Sequence, residues 1–205
     1  MIRSLTANER EQFQQFEGKV RELAAALQRM NVDAPEAEAI LAGGEAVDPR
    51  DAMAVRRWMQ GAMERMEARL PQQRWQPLRE MCACCTGGKR HTLARAIYQD
   101  HDSLEARVEA LSRTPYIVGH SARLTEDGRV IVAFAGEGEE HGCPCLPVTE
   151  QAMPVSYCYC CAGHIKRHVQ TALGRKLGVR AISTALSTAG KKGCVFELMP
   201  QEGTP

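Results

Sequence analysis

Hydrophobic side chains in the first half of the chain recur at helical spacing. They form two stripes in which consecutive members lie three or four residues apart, so each stripe falls on one face of a helix. The stripes comprise Phe13, Phe16, Val20, Leu23, Leu27 and Met30, and then Ala52, Val55, Met59, Ala62 and Met66. The pattern predicts two amphipathic helices that pack as an antiparallel pair on the chain's own core or, as the alternative, form the contact of a homodimer.

Capping residues indicate where these and other helices begin. Thr6 and Glu9 match a capping box, whose side chains satisfy N–H groups left free at a helix start. Asp48 is expected to cap the second long helix, with Pro49 in its first turn, where a missing N–H costs nothing. Ser103 is expected to cap a later helix. Shorter helices are predicted near residues 35–42, 72–81, 88–99 and 103–112.

The pattern changes to that of β-strands beyond Pro115. Segments 116–124 and 129–135 are predicted as a hairpin around Asp127-Gly128, a dipeptide typical of tight turns. A helix is expected over about residues 160–176, followed by strands at 179–188 and 194–199. The expected order is therefore ββ–loop–αββ, an antiparallel sheet with a helix packed on it.

These elements predict an α+β fold with two regions. Residues 1–114 would be a helical scaffold, and residues 115–205 an α+β domain that is rich in cysteine. At 205 residues the chain is long enough to bury a core of ordinary size.

Composition and charge narrow the classes of partner. The net charge is +1, and no run of about 18 apolar residues or apolar signal core is present, so neither a membrane span nor secretion is expected. The expected compartment is the cytoplasm, where thiols stay reduced. Residues 166–192 are locally basic but carry no interleaved aromatic residues, so we interpret this stretch first as a solvated face. A regulator that contacts nucleic acid through these residues is the minor alternative.

Cysteine clustering is the strongest chemical signal in the chain. Eight of the nine cysteines fall in the clusters Cys82-Ala-Cys84-Cys85, Cys143-Pro-Cys145 and Cys158-Tyr-Cys160-Cys161, and Cys194 stands alone. In a reducing compartment, clustered thiols indicate a metal or catalytic site before disulfides. Cys161 is expected to face the core, because it aligns with the apolar stripe of its helix, and Cys194 is expected to lie in the core.

A soft metal ion is the first interpretation of these clusters, because thiolates suit zinc, copper(I) and iron–sulfur clusters. The predicted metal ligands are Cys82, Cys85, Cys143, Cys145, Cys158 and Cys160. Zinc is the expected ion, although six thiols exceed one tetrahedral site, so an iron–sulfur cluster or two ions stay open. The role would be that of a cytosolic metal-binding protein that senses a metal or a small-molecule ligand.

Thiol catalysis is the alternative interpretation. Cys160 lies at the start of a predicted helix, where the helix dipole lowers a thiol pKa, and His164 follows one turn later. Cys160 would then be the nucleophile and His164 its base in a thiol-dependent hydrolase that acts on a small sulfur-containing substrate.

One stretch resembles a known group of proteins. The run Tyr157-Cys158-Tyr159-Cys160-Cys161-Ala162-Gly163-His164, followed by Gly190 and Cys194-Val195-Phe196, resembles a family of uncharacterised bacterial cysteine-rich proteins. Their C-terminal halves are similar to the 4-vinyl reductase domain and to the 2-amino-thiazoline-4-carboxylate hydrolase group. The resemblance implies an α+β domain with a ligand pocket between helix and sheet, and a metal or reactive thiol where that helix begins.

Overall fold

A computed structural model describes residues 17–83, 87–136 and 141–201. In that part of the chain the architecture is α+β with an antiparallel sheet, as predicted. It comprises eight α-helices and four strands. The expected capping box at Thr6, the apolar residues Phe13 and Phe16, and the predicted ligand Cys85 lie outside the described residues. No helix among the described residues combines the length and apolar character that a membrane span requires.

Four helices build the first part of the fold, and the described members of the two hydrophobic stripes lie on the buried faces of the first and the third of them, except for Ala52, which is exposed. They are α1 (Gly18–Arg29), α2 (Ala34–Leu41), α3 (Ala52–Arg69) and α4 (Gln72–Met81). Leu23, Leu27, Met59 and Met66 are all buried in the core, as the spacing predicts.

The predicted start of the second long helix is wrong by about one turn. Asp51, and not Asp48, caps α3, because its carboxylate accepts hydrogen bonds from the backbone N–H groups of Met53 and Ala54 at 2.9 Å. Asp48 instead accepts from the N–H of Arg50 in a local turn before the helix.

Three helices follow, namely α5 (Gly88–Asp100), α6 (Leu104–Ser112) and the single turn α7 (Pro115–Val118). Ser103 caps α6 as predicted, with its hydroxyl accepting from the N–H of Ala106 at 3.1 Å. The prediction of a strand from residue 116 is wrong at its beginning, because α7 occupies this segment. Gly119, with φ of +84°, ends α7 and allows the chain to approach Phe134 closely.

The sheet comprises β1 (Ser121–Leu124), β2 (Val130–Ala133), β3 (Leu177–Ser183) and β4 (Val195–Pro200). Its order is β1-β2-β4-β3, and all neighbours are antiparallel. The predicted turn at Asp127-Gly128 joins β1 to β2, with Gly128 at φ +78°. β3 ends at Ser183, earlier than predicted, because residues 184–190 form turns. These turns are held by local hydrogen bonds such as the one from the Thr188 N–H to Thr184 O at 3.1 Å.

Helix α8 (Tyr159–Leu173) lies between the helical layer and the sheet. It contacts α4, α5, α6 and β3, and a short 3₁₀ helix, Val155–Cys158, leads into it. Ile165, Val169 and Leu173 are buried and form the inward stripe that the sequence predicts. Helices α8 and α4 approach each other closely at Gly163, where an added Cβ would lie 2.7 Å from Glu80 Cα and closer still to the Glu80 carbonyl oxygen. Only glycine therefore fits where α8 crosses α4.

Candidate functional site

Six thiols line one pocket beside the start of α8. The pocket has a volume of about 320 Å³, and its cysteines are Cys143, Cys145, Cys158, Cys160, Cys161 and Cys194. The side chains of Phe134, Tyr157, Leu186 and His141 complete much of the wall. A pocket of this size lies at the lower end of the range for small-molecule sites. We call it the sulfur pocket.

Three separate parts of the fold supply these thiols. Cys143 and Cys145 lie in the long segment that connects β2 to the 3₁₀ helix. Cys158 ends the 3₁₀ helix, and Cys160 and Cys161 lie in the first turn of α8. Cys194 directly precedes β4. The fold thus unites two of the predicted clusters and adds the cysteine that stands alone in the sequence.

The Cys143–Pro144–Cys145 segment favours a thiolate at Cys143. The Cys145 N–H lies 3.4 Å from Cys143 Sγ. A hydrogen bond from the Cys145 thiol, together with the backbone N–H groups of Cys145 and Leu146, lowers the pKa of Cys143 to about 6. The same hydrogen bond raises the pKa of Cys145, which is the donor. At neutral pH this pair therefore holds one negative charge and one proton.

Three other pocket thiols favour the protonated form in the metal-free protein. Burial raises the pKa of Cys158, Cys161 and Cys194, because a thiolate loses its hydration there. The Cys158 thiol lies 3.1 Å from Thr184 Oγ1, and Cys194 Sγ accepts from the Ala185 N–H at 3.4 Å. These contacts fix the two sulfurs against the turn that follows β3.

Cys82 faces a different cavity. This second cavity has a volume of only about 10 Å³, which is about the space of one water molecule. Its walls include Arg79 and Cys82 of α4, and also Tyr157 and Cys160, which line the sulfur pocket as well. The Cys82 thiol donates to Leu78 O at 3.5 Å and Glu22 O at 3.8 Å. Cys82 therefore shares this small cavity with Cys160, but not with the other described members of the predicted ligand set, Cys143, Cys145 and Cys158.

Arg79 is a buried cation next to the thiols. Its guanidinium donates to Tyr157 O at 3.0 Å and Ser156 O at 3.4 Å, the two residues that precede Cys158. Burial by itself lowers a guanidinium pKa and is the largest single effect, but negative charge on Cys82, Cys160, Tyr157 and Cys158 acts against it, so that the pKa of Arg79 is raised. Among the described residues, Arg79 is in no ion pair with a carboxylate. The positive charge is thus available to stabilise negative charge on sulfur.

A second buried arginine holds the segment that carries Cys143 and Cys145. Arg56 of α3 donates through Nε to Pro147 O at 3.0 Å and through Nη2 to Gln151 O. These bonds join the helical layer to the segment that runs over the pocket. Sequence reasoning missed both Arg56 and Arg79, because an arginine within an amphipathic helix ordinarily indicates an exposed position.

The predicted pairing of Cys160 with His164 is only partly visible in the geometry. Cys160 lines the sulfur pocket, whereas His164 is not among its lining residues. The His164 ring instead lies edge-on to His168, with ring centroids 4.7 Å apart, and His91 of α5 lies 6.5 Å beyond His168. The histidine in the pocket wall is His141, whose buried Nδ1 has no hydrogen-bond partner among the described residues. The sequence signal that could have indicated His141 as a pocket residue is its position two residues before Cys143.

The sulfur atoms surround a volume and do not converge on a point. Within residues 17–83, 87–136 and 141–201, no three His, Cys, Asp or Glu side chains are arranged to hold one metal ion. Because Cys85 lies outside these ranges, the six-residue ligand set predicted from the sequence stays a prediction.

Comparison with known families shows where the chain belongs. Residues 17–204 match DUF6144, a family of unknown function. The chain belongs to this family. The match spans both the helical layer and the sulfur pocket, including Cys82 and all six pocket thiols. No curated protein matches the chain. The expected likeness to the 4-vinyl reductase domain receives no support from this match and stays a prediction.

Proposed function

We propose that this protein binds a soft metal in the sulfur pocket, with zinc as the first candidate and an iron–sulfur cluster as the alternative. The observation that carries the proposal is the convergence of Cys143, Cys145, Cys158 and Cys160 on one pocket from separate elements. Soft metals select thiolate ligands, and metal binding removes the protons that Cys145 and Cys158 otherwise keep. The role would be metal or small-molecule sensing in the cytoplasm.

Local electrostatics supports an anionic metal–thiolate centre. Zinc bound by four thiolates has a formal charge of about −2, which needs compensation when it is partly buried. Arg79 lies beside Cys160, and the charge of Lys19 acts to lower the pKa of both Cys143 and Cys145. Two cations from the helical layer therefore lie next to the sulfur atoms.

Metal content of untagged protein tests the proposal. Elemental analysis, together with a visible absorption spectrum, separates iron–sulfur clusters, which absorb in the visible, from zinc, which does not. We expect bound zinc or iron in the wild type and its loss in the C143S/C145S variant. C82S tests whether Cys82, which faces the other cavity, belongs to the ligand set: metal retained in C82S would confine the site to the sulfur pocket. Wild-type protein that is free of metal after purification and after reconstitution would refute the proposal.

A thiol-dependent hydrolase that acts on a small sulfur-containing substrate is the second candidate. The lowered pKa of Cys143 favours it, because a thiolate in an apolar-walled pocket is a competent nucleophile. On this view Cys143, and not Cys160, is the attacking thiol. The pocket lies at the start of α8 beside β4, where the resemblance to the 2-amino-thiazoline-4-carboxylate hydrolase group would place a ligand. Mass-spectrometric mapping of iodoacetamide labelling at pH 7 tests this candidate, and equal rates for all thiols would exclude it.

A further inference from the structure

The sulfur pocket is larger than a single metal ion requires. Tetrahedral zinc holds its thiolate sulfurs about 2.3 Å from the ion, which leaves no free space between the ligands. The pocket instead has a volume of about 320 Å³. Since about 10–15 Å³ is enough for one water molecule, this space admits a group of many atoms.

The pocket also contains more thiols than one metal ion can bind. A single tetrahedral zinc would use four of the six thiols and leave two unligated in the same wall. Within the described ranges, no three candidate ligands already have the arrangement that one ion requires, so the pocket thiols would have to close on the metal as it binds. Six thiols in one wall are enough for several metal atoms, with neighbouring thiolates shared between them.

We propose that the sulfur pocket holds a polynuclear metal–thiolate centre, in which Cys161 and Cys194 are ligands together with Cys143, Cys145, Cys158 and Cys160. The inference rests on the proposed metal-binding function and specifies the kind of centre. The metals are thiophilic, either two or more zinc or copper(I) ions bridged by thiolates or iron bridged by inorganic sulfide.

Cys161 and Cys194 have the position that a ligand requires. Both are half-buried and line the pocket, so neither is sealed inside the core. Cys161 directly follows Cys160 at the start of α8, and Cys194 directly precedes β4, where its Sγ accepts a hydrogen bond from the Ala185 N–H. Together they extend the sulfur wall from α8 to the start of β4, which a centre with only four ligands would not need.

Formal charge is compatible with such a centre. Two divalent ions and six thiolates leave a net charge of about −2. Arg79 and Lys19 provide two positive charges close to these sulfurs. The helical layer thus supplies the counter-charge for a filled pocket.

Metal stoichiometry tests the inference. Full-length protein is stripped with a chelator under reducing, anaerobic conditions and titrated with Zn²⁺, with Cd²⁺, and separately with Fe²⁺ plus sulfide. Native mass spectrometry then counts metal atoms per chain. We expect at least two atoms per chain in the wild type and a fall to one or none in the C161A/C194A variant. I182A is the control and should keep the wild-type number, because Ile182 is exposed and does not line the pocket.

The outcomes separate this inference from the proposed function. One metal atom per chain in the wild type, or the same number in the wild type and in C161A/C194A, would overturn the polynuclear centre and leave metal binding intact. Absence of metal in every protein would overturn the proposed function itself. If C161A/C194A fails to fold, as judged by circular dichroism, the single variants C161S and C194S replace it, and each should bind fewer atoms than the wild type.

Discussion

Replacing Gly163 by alanine should weaken the crossing of α8 with α4. A Cβ at this position would lie 2.7 Å from Glu80 Cα and 2.8 Å from the Glu80 carbonyl carbon. Ordinary van der Waals contact begins at 3.4 Å, so the two helices would have to separate by at least about 0.7 Å. The obstacle is backbone, which cannot rotate away as the end of a side chain can.

The expected cost follows from two opposing effects. Overpacking of a tight core contact costs about 1–3 kcal/mol, occasionally more. Alanine regains up to about 1 kcal/mol, because its helix propensity exceeds that of glycine. Because the contacts at Gly163 are with rigid backbone, the overpacking cost should lie in the upper part of the range of about 1–3 kcal/mol. We therefore expect G163A to lower the free energy of unfolding by about 2 kcal/mol.

Urea denaturation, followed by far-ultraviolet circular dichroism, measures this change. G61A is the matched control, since Gly61 lies inside α3 and its added Cβ would meet only the side chain of Arg65, at 2.9 Å from Nη1. We expect G61A to be as stable as the wild type or up to about 1 kcal/mol more stable, because the side chain can shift and the propensity gain remains. A urea midpoint of G163A that equals or exceeds that of G61A would refute the argument that α8 and α4 pack too closely for a side chain at Gly163.

Three further predictions concern the anchors and the thiols. R56M should lower the free energy of unfolding by about 2–4 kcal/mol in urea denaturation, because it leaves carbonyl groups of the pocket segment without their charged donor; an unchanged midpoint would contradict the anchoring role of Arg56. In metal-free protein, alkylation of Cys143 should rise with pH around a midpoint of about 6, because only the thiolate reacts; a midpoint near 9 would contradict the hydrogen-bonded thiolate. Burial raises the pKa of Cys82 and Cys158 above the ordinary cysteine pKa of 9.0. Above pH 9.0 the unfolded chain therefore releases these two protons while the native state keeps them. The free energy of unfolding should consequently fall as the pH rises past 9.0. Denaturation between pH 8 and 10.5 should show a shallower fall in C158A than in the wild type, and identical slopes would exclude this linkage.

Local patterns predicted most of the elements correctly. The apolar stripes identified α1 and α3, Asp127-Gly128 identified the β1–β2 turn, and Ser103 identified the start of α6. Errors arose where two local signals competed. Asp48 and Asp51 are both suitable caps, and only the hydrogen bonds to Met53 and Ala54 select the second.

The site was harder to predict, because its parts come together through long-range packing. Clustering indicated that the thiols carry the chemistry, but it could not show that Cys194 joins the pocket or that Cys82 faces a different cavity. The anchoring arginines left no local signal. Arg56 bonds a carbonyl group 91 residues along the chain, and Arg79 bonds one 77 residues away, so no periodicity connects them with the thiols.

The two buried arginines have a consequence for how the molecule can be divided. Each projects from the helical layer and ends on backbone carbonyls of the segments that present cysteines. A fragment of residues 115–205 would keep all six pocket thiols but lose both guanidinium anchors. The geometry of the sulfur pocket is therefore encoded jointly by the two halves of the sequence, and the cysteine-rich half would not transfer its site to another protein by itself.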